Sequence, residues 1–226
     1  MYMSEIRDCY KLTKKAGIKK DKHYSQHMID AGSMILCIGG TGSGKSTALL
    51  EFLSRCPEKY YEIHLFSGSN NADTEPLYRL LKEKIPEVQT YNDINNVPEL
   101  ESFEDKDCEK LIIWDDYLQL TAKQMKKLNP YVTASRKSGF TNWFMSQSYV
   151  HCPKIISRNA THMLLFKLND NRSLNTIIKN HNQLEIPDED FKKLHQIITS
   201  QPRSFLMIDL KNRNIRKNFT EIIEKC

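Results

Sequence analysis

Lys45 and Ser46 end the run Gly39-Gly40-Thr41-Gly42-Ser43-Gly44-Lys45-Ser46, a glycine, four residues, then Gly-Lys-Ser. That spacing is the phosphate-binding loop, and each residue type in it has a task. The glycines let the backbone wrap closely around an anion. The loop amides, with Thr47 at the start of the next element, then aim N–H groups at phosphate oxygens, where a helix dipole favours negative charge. Lys45 would reach the β and γ oxygens, and Ser46 would offer its hydroxyl to Mg²⁺. A nucleoside triphosphate, read as ATP, is the expected ligand. Asp115 and Asp116 form a second constellation. In isolation, two aspartates after an apolar run make a turn or a helix cap more often than a catalytic pair. In a chain with a phosphate loop, Asp115 is the expected acid for Mg²⁺ and Asp116 the residue to orient or deprotonate an attacking water. Gln147 is a third candidate, since its amide can donate to one oxygen and accept from another near a γ-phosphate.

These residues need particular elements to hold them. Met34-Ile35-Leu36-Cys37-Ile38 precedes the loop as a buried-strand candidate, and Thr47-Ala48-Leu49-Leu50-Glu51-Phe52-Leu53 can open a helix with an apolar face. Leu111-Ile112-Ile113-Trp114 leads into Asp115, so the acid falls at the carboxyl end of a strand, where ligands collect in open α/β sheets. Further strands are expected over 61–66, 140–146 and 163–167. Helices are expected over 73–84, with Thr74 as cap and Pro76 in the first turn, over 121–138 with an interruption near Pro130, and over 171–179 and 188–198. Residues 86–109 are acidic and broken by Pro86 and Pro98, which predicts loops and short pieces. The segment 204–210, followed by the polar 211–214, predicts a C-terminal β-hairpin. Strands alternating with helices predict an α/β fold with a mostly parallel sheet. Residues 1–31 are read as a basic leader, containing Lys14-Lys15 and Lys19-Lys20, and 32–226 as a nucleotide-binding domain.

Composition sets outer bounds. The chain has 226 residues, 39% hydrophobic and 27% charged, with a net charge of +5, ordinary for one globular domain and only mildly suited to a polyanionic partner. Its 6 cysteines form no Cys-x-x-Cys pair and no zinc spacing, so they are expected reduced. No apolar run approaches membrane-spanning length and no signal-peptide core begins the chain, which predicts a soluble intracellular protein.

Ser135-Arg136-Lys137-Ser138-Gly139-Phe140, then Met145-Ser146-Gln147-Ser148, then Ile155-Ile156-Ser157-Arg158-Asn159-Ala160 and Met163-Leu164-Leu165-Phe166-Lys167, taken with the phosphate loop and the Asp115-Asp116 strand, resemble the FtsK–HerA superfamily of DNA-pumping P-loop ATPases. Within it the likeness is to viral genome-packaging ATPases of poxviruses, giant DNA viruses and virophages, and it covers about residues 32–168. The resemblance implies a RecA-like P-loop fold of the type with an extra strand between the Walker strands. It further implies a homo-oligomeric ring, pentamer or hexamer, that spends ATP to thread double-stranded DNA into a capsid. Partner capsid or portal-vertex proteins and a setting in the host cytoplasm, at the virus factory or in the virion, come with it. In such rings one subunit inserts an arginine into its neighbour's site; Arg136 is the first candidate here and Arg158 the second. DNA would be held by phosphate contacts from lysines near the catalytic elements, with Lys123, Lys126, Lys127 and Lys137 as candidates. Where the related motors often carry Glu, this chain has Asp116, a shorter acid. A P-loop nucleotide or small-molecule kinase is the alternative, with Arg172 or Arg203 as lid arginines. No Asn-Lys-x-Asp guanine motif favours a GTPase, and no Ser-Gly-Gly signature favours an ABC ATPase.

Overall fold

The computed structural model describes residues 22–68, 74–103, 108–168, 170–181 and 186–225. Met34–Ile38 (β1), buried along its whole length, runs through the phosphate loop into Lys45–Arg55 (α2). Strands Glu62–Ser67 (β2), Gln89–Tyr91 (β3), Lys110–Asp115 (β4), Phe140–Ser146 (β5) and His162–Leu165 (β6) join β1 in a parallel array. Leu206–Asp209 (β7), Asn214–Lys217 (β8) and Glu221–Lys225 (β9) extend the sheet antiparallel. The order is β3-β2-β4-β5-β1-β6-β7-β8-β9. β5 therefore lies between the phosphate-loop strand and the Asp115 strand, with Ser146 level with Ile38.

The central strands are apolar on both sides because both faces are covered. Met34, Leu36 and Ile38 point into one core with Trp114 and Phe144, closed by Leu128, Ile156, Ile177 and Phe191. These come from Ala122–Thr133 (α4), Lys154–Asn159 (α5), Asn171–His181 (α6) and Asp188–Thr199 (α7). Ile35 and Cys37 point into the other, with Ile113 and Trp143, under Leu49 and Phe52 of α2 and Tyr78 and Leu81 of Pro76–Lys84 (α3). One strand of period two thus feeds two cores.

The expected α/β fold with a mostly parallel sheet and C-terminal antiparallel strands is present, with local corrections. The C-terminus adds three antiparallel strands where a hairpin was expected, because the chain turns again at Asn218 (φ 54) and buries Phe219. The helix after β2 is capped at Glu75, directly before Pro76, and Thr74 stands outside it. α4 runs through Pro130 unbroken. Burial of Leu128, Tyr131 and Val132 outweighs the roughly 3 kcal/mol that an interior proline costs, and Thr121 with Gln124 closes a capping box at its start. Residues 86–103 and 108–109 form β3 and two short 3₁₀ turns, Ile94–Asn96 and Leu100–Ser102, amid loops.

The lysine pairs of the expected leader lie outside the described residues. The described end of the leader begins with Tyr24–His27 (α1) and packs down: His27 and Ile29 are fully buried. Arg216 donates to the Met28 carbonyl at 3.2 Å, and Lys211 pairs with Asp30. Cys37, Cys56, Cys108 and Cys152 are free thiols; Cys9 and Cys226 lie outside the described residues. Among the described residues no helix is long and apolar enough to cross a membrane.

Candidate functional site

The phosphate loop hangs between the ends of two neighbouring strands. Gly39 N–H donates to the Ser146 carbonyl at 3.1 Å, and Gly40 N–H points to the Lys167 carbonyl at 3.5 Å. A Cβ on Gly39 would stand 2.6 Å from both Phe166 Cβ and Ser43 Oγ, so only glycine fits between loop and strand. Gly42 and Gly44 have φ of 72° and 110°, conformations that glycine adopts without steric cost. Lys45 Nζ donates to the Gly39 and Gly40 carbonyls at 2.8 and 2.9 Å. Burial pulls its pKa below the ordinary lysine value, with Asp115 acting in the opposite sense. Ser43 Oγ is buried with no hydrogen-bond partner among the described residues, a polar atom that an anion in the loop would satisfy.

Asp115 stands at the end of β4, facing this loop across β5. Burial raises its carboxyl above the ordinary carboxylate range, opposed chiefly by a hydrogen bond from Tyr78. The Tyr78 hydroxyl donates to Asp115 Oδ2 at 2.6 Å and is also hydrogen-bonded with Ser46. Asp115 Oδ1 accepts from the Asp116 N–H at 3.1 Å. A carboxylate, a serine hydroxyl and a tyrosine hydroxyl on one spot are hard oxygen donors. Among the described residues no group of three His, Cys, Asp or Glu could hold a metal. Such donors suit Mg²⁺, which usually takes one or two protein oxygens and completes its shell with phosphates and water.

Asp116 has φ 51, a left-handed conformation that Asp tolerates better than most residues. Gly68 lets the backbone take it: a Cβ there would meet the Asp116 carbonyl oxygen at 2.7 Å. Gln147 is exposed just past β5. Gly40–Thr47, Asp115, Asp116 and Gln147 all line one cleft of about 1120 Å³ at the carboxyl ends of the parallel strands.

The two candidate finger arginines are elsewhere. Arg136 is exposed in the 3₁₀ turn Ser135–Ser138 that leads into β5, its Cγ only 2.8 Å from where a Gly32 Cβ would be, before the start of β1. Arg158 is exposed in the last turn of α5, ahead of β6. Both sit toward the amino ends of the strands, away from their own subunit's cleft. The arginine that does line the cleft is Arg203, in the left-handed conformation (φ 64), its Cα and Cβ 3.0 Å from where a Gly44 Cβ would be. Tyr78 had no mark in the sequence at all. Its contact spans 37 residues, and nothing in the spacing of α3 distinguishes a tyrosine that caps a core from one that reaches an acid.

A family model described as "Poxvirus A32 protein" matches residues 20–209. A search of curated proteins finds no match. Among solved structures, the chain is similar to B204, the DNA-packaging ATPase from Sulfolobus Turreted Icosahedral Virus. The likeness has a TM-score of 0.60 at 16% identity and covers 84% of this chain and 98% of that one. B204 from Sulfolobus turreted icosahedral virus 2, a genome packaging NTPase in complex with ATP-gammaS, matches with a TM-score of 0.56 at 18% identity, over 83% and 97% of the two chains. The pCW3 conjugation coupling protein TcpA, with ATPgS, matches with a TM-score of 0.56 at 13% identity, over 85% of this chain and 62% of that one. At these identities the likeness is one of fold.

Proposed function

The chain belongs to the poxvirus A32 protein family, and on that premise we propose that it is an ATP hydrolase that drives double-stranded DNA into a viral capsid. The observation that carries this reading is the meeting of Lys45, Ser46, Asp115, Asp116 and Gln147 at one cleft. Residues from two loops and two strand ends converge there with the division of labour that phosphoryl transfer to water needs.

In this reading the loop amides and Lys45 hold the β- and γ-phosphates, with Lys45 released from the Gly39 and Gly40 carbonyls when phosphate oxygens arrive. Ser46 and Asp115 would hold Mg²⁺, which when bound neutralises charge on the β and γ oxygens. Asp116 orients the attacking water and accepts its proton, and Gln147 fixes that water against the γ-phosphate. Among the described residues, Arg203 is the one lysine or arginine besides Lys45 that lines the cleft. A neighbouring subunit's Arg136, or failing that Arg158, would supply the transition-state cation across a ring interface. An arginine placed off its own subunit's cleft is free to serve another's. Capsid or portal-vertex proteins would anchor the ring.

The test is the ATPase rate against protein concentration, with and without long double-stranded DNA, at low and moderate salt. A rate per subunit that climbs with concentration, and DNA stimulation that fades as salt rises, are the expected results. A rate flat in both would favour the kinase alternative, for which Arg203 at the cleft is the one specific observation.

A further inference from the structure

From Tyr117 to Asn169 the chain contains no aspartate or glutamate, yet it contains eight lysines and arginines. All 28 carboxylates therefore lie elsewhere, against the remaining 25 cations. The net +5 is thus +8 in this stretch set against −3 in the rest. Charges of both signs are normally interspersed on a soluble surface, so a single-sign stretch of this length is a feature to be explained by what it meets.

The fold turns the stretch into a surface. It comprises α4, the 3₁₀ turn Ser135–Ser138, β5, α5 and β6, and the two strands are buried. Five of the eight cations consequently fall on α4 and α5, and α4 packs against α5. Lys123 and Lys126, three apart on α4, are exposed while Leu128, Tyr131 and Val132 face the core. Lys154 and Arg158, four apart on α5, are exposed while Ile156 is buried. Residues at those separations lie on one side of a helix, about 5–6 Å apart at Cβ, and packed helices lie roughly 8–10 Å apart. Lys127 does not belong to this set. It is engaged inward, 3.2 Å from Glu99 and 2.7 Å from the Asn95 carbonyl.

We infer that the outer face of α4 and α5, through Lys123, Lys126 and Lys154, is the surface on which the phosphate backbone of duplex DNA lies. The inference rests on the DNA-moving reading above and names the surface for it. Spaced cations on helices whose own stretch of chain carries no carboxylate suit a polyanion whose charges repeat along its length, and they hold it without reading bases. The same two helices grow out of the catalytic loops. α4 begins six residues after Asp116 and α5 seven after Gln147, and the loops between are joined where the Tyr117 hydroxyl meets Cys152 Sγ at 3.4 Å. A shift of Asp116 or Gln147 as the γ-phosphate leaves is thereby passed to the two helices that hold the DNA.

The experiment measures binding of a labelled random-sequence duplex by the full chain across a salt series. It uses the double variant Lys123→Glu/Lys126→Glu, the single variant Lys154→Glu, and Lys193→Glu on α7 as a charge reversal off this face. Expected is a fall in affinity of ~10-fold or more for each of the first two and a salt slope shallower by about 1 per cation lost. Lys193→Glu is expected to bind as wild type, and DNA-free ATPase rates and melting temperatures are expected to be unchanged throughout. Wild-type affinity and slope in the α4 and α5 variants would overturn this surface while leaving the motor reading intact. No duplex binding by the wild-type chain would overturn both, and tighter capture by anionic phosphatidylserine vesicles than by duplex would overturn the assignment of the partner.

Discussion

At the scale of single residues, the site is a set of polar groups held in place by other polar groups. Tyr78 is the clearest case, because its hydroxyl joins Asp115 and Ser46, the two groups assigned to the metal. Tyr78→Phe keeps the ring that fills the core and removes only that link. Loss of one hydrogen bond to a charged group is worth about 1.5–3 kcal/mol, and part of this should appear in the site. We expect the fold to be retained and the Mg²⁺ concentration for half-maximal ATPase to rise by roughly 5-fold or more, measured by titrating Mg²⁺ at saturating ATP. An unchanged Mg²⁺ requirement would mean that Asp115 and Ser46 position themselves. Sequence reasoning could propose Lys45, Ser46 and Asp115 because their motif is local. It could not propose Tyr78, whose part depends on α3 being folded back over the loop.

At the scale of elements, the phosphate loop is a fitted joint between β1, β5 and β6. Gly39 and Gly42 look alike in the motif but have different surroundings. A Cβ on Gly39 would collide with Phe166 and Ser43, whereas on Gly42 it would meet nothing within 4 Å. Gly39→Ala should therefore cost about 1–3 kcal/mol by overpacking and weaken nucleotide binding. Gly42→Ala should cost only the roughly 1 kcal/mol of a left-handed alanine. Urea denaturation of both variants with parallel ATP-binding titrations checks the order, and equal losses would mean that the loop relaxes away from Phe166. The strands were legible in advance because a doubly covered strand is a short apolar run. The end of the helix through Pro130 was not, because burial of Tyr131 and Val132 overrides a local breaker.

At the scale of the whole molecule, the C-terminal strands tie the amino-terminal segment to the sheet through a buried charge cluster. Asp209 and Arg216 are both fully buried and paired, with His162 3.6 Å from the same carboxylate oxygen. Burial alone would raise the Asp209 carboxyl, but His162 and the Asn212 amides hold it well below the ordinary carboxylate range. A depressed folded-state pKa contributes stability that is present above the unfolded value, near pH 4, and is lost as pH falls toward the folded value. Wild-type stability should accordingly drop below about pH 4. Asp209→Asn should lose about 3–5 kcal/mol at neutral pH, because Arg216 is left buried without its counter-ion, and should show a flatter decline in acid. Urea unfolding at pH 3 and pH 7 measures both, and equal pH dependence in the two proteins would remove Asp209 from this role. The ring reading is also tested at this scale. Arg136→Ala and Lys45→Ala subunits, each inactive alone, should regain ATPase activity when mixed, and no rescue at any ratio would count against an arginine acting between subunits.

By itself, the order of residues determined the nucleotide chemistry and the class of fold. Phosphate binding needs glycines, a lysine and a serine within eight consecutive positions, and covered parallel strands need continuous apolar runs; both are local demands that one stretch of chain must meet alone. Only the tertiary structure decided that Tyr78 joins Ser46 and Asp115, that Arg203 rather than Arg136 lines the cleft, and that Lys123, Lys126, Lys154 and Arg158 stand exposed on two helices that pack together. Those are relations between segments far apart in the chain. They depend on how β4, β5 and β1 lie side by side, which no spacing of residues records.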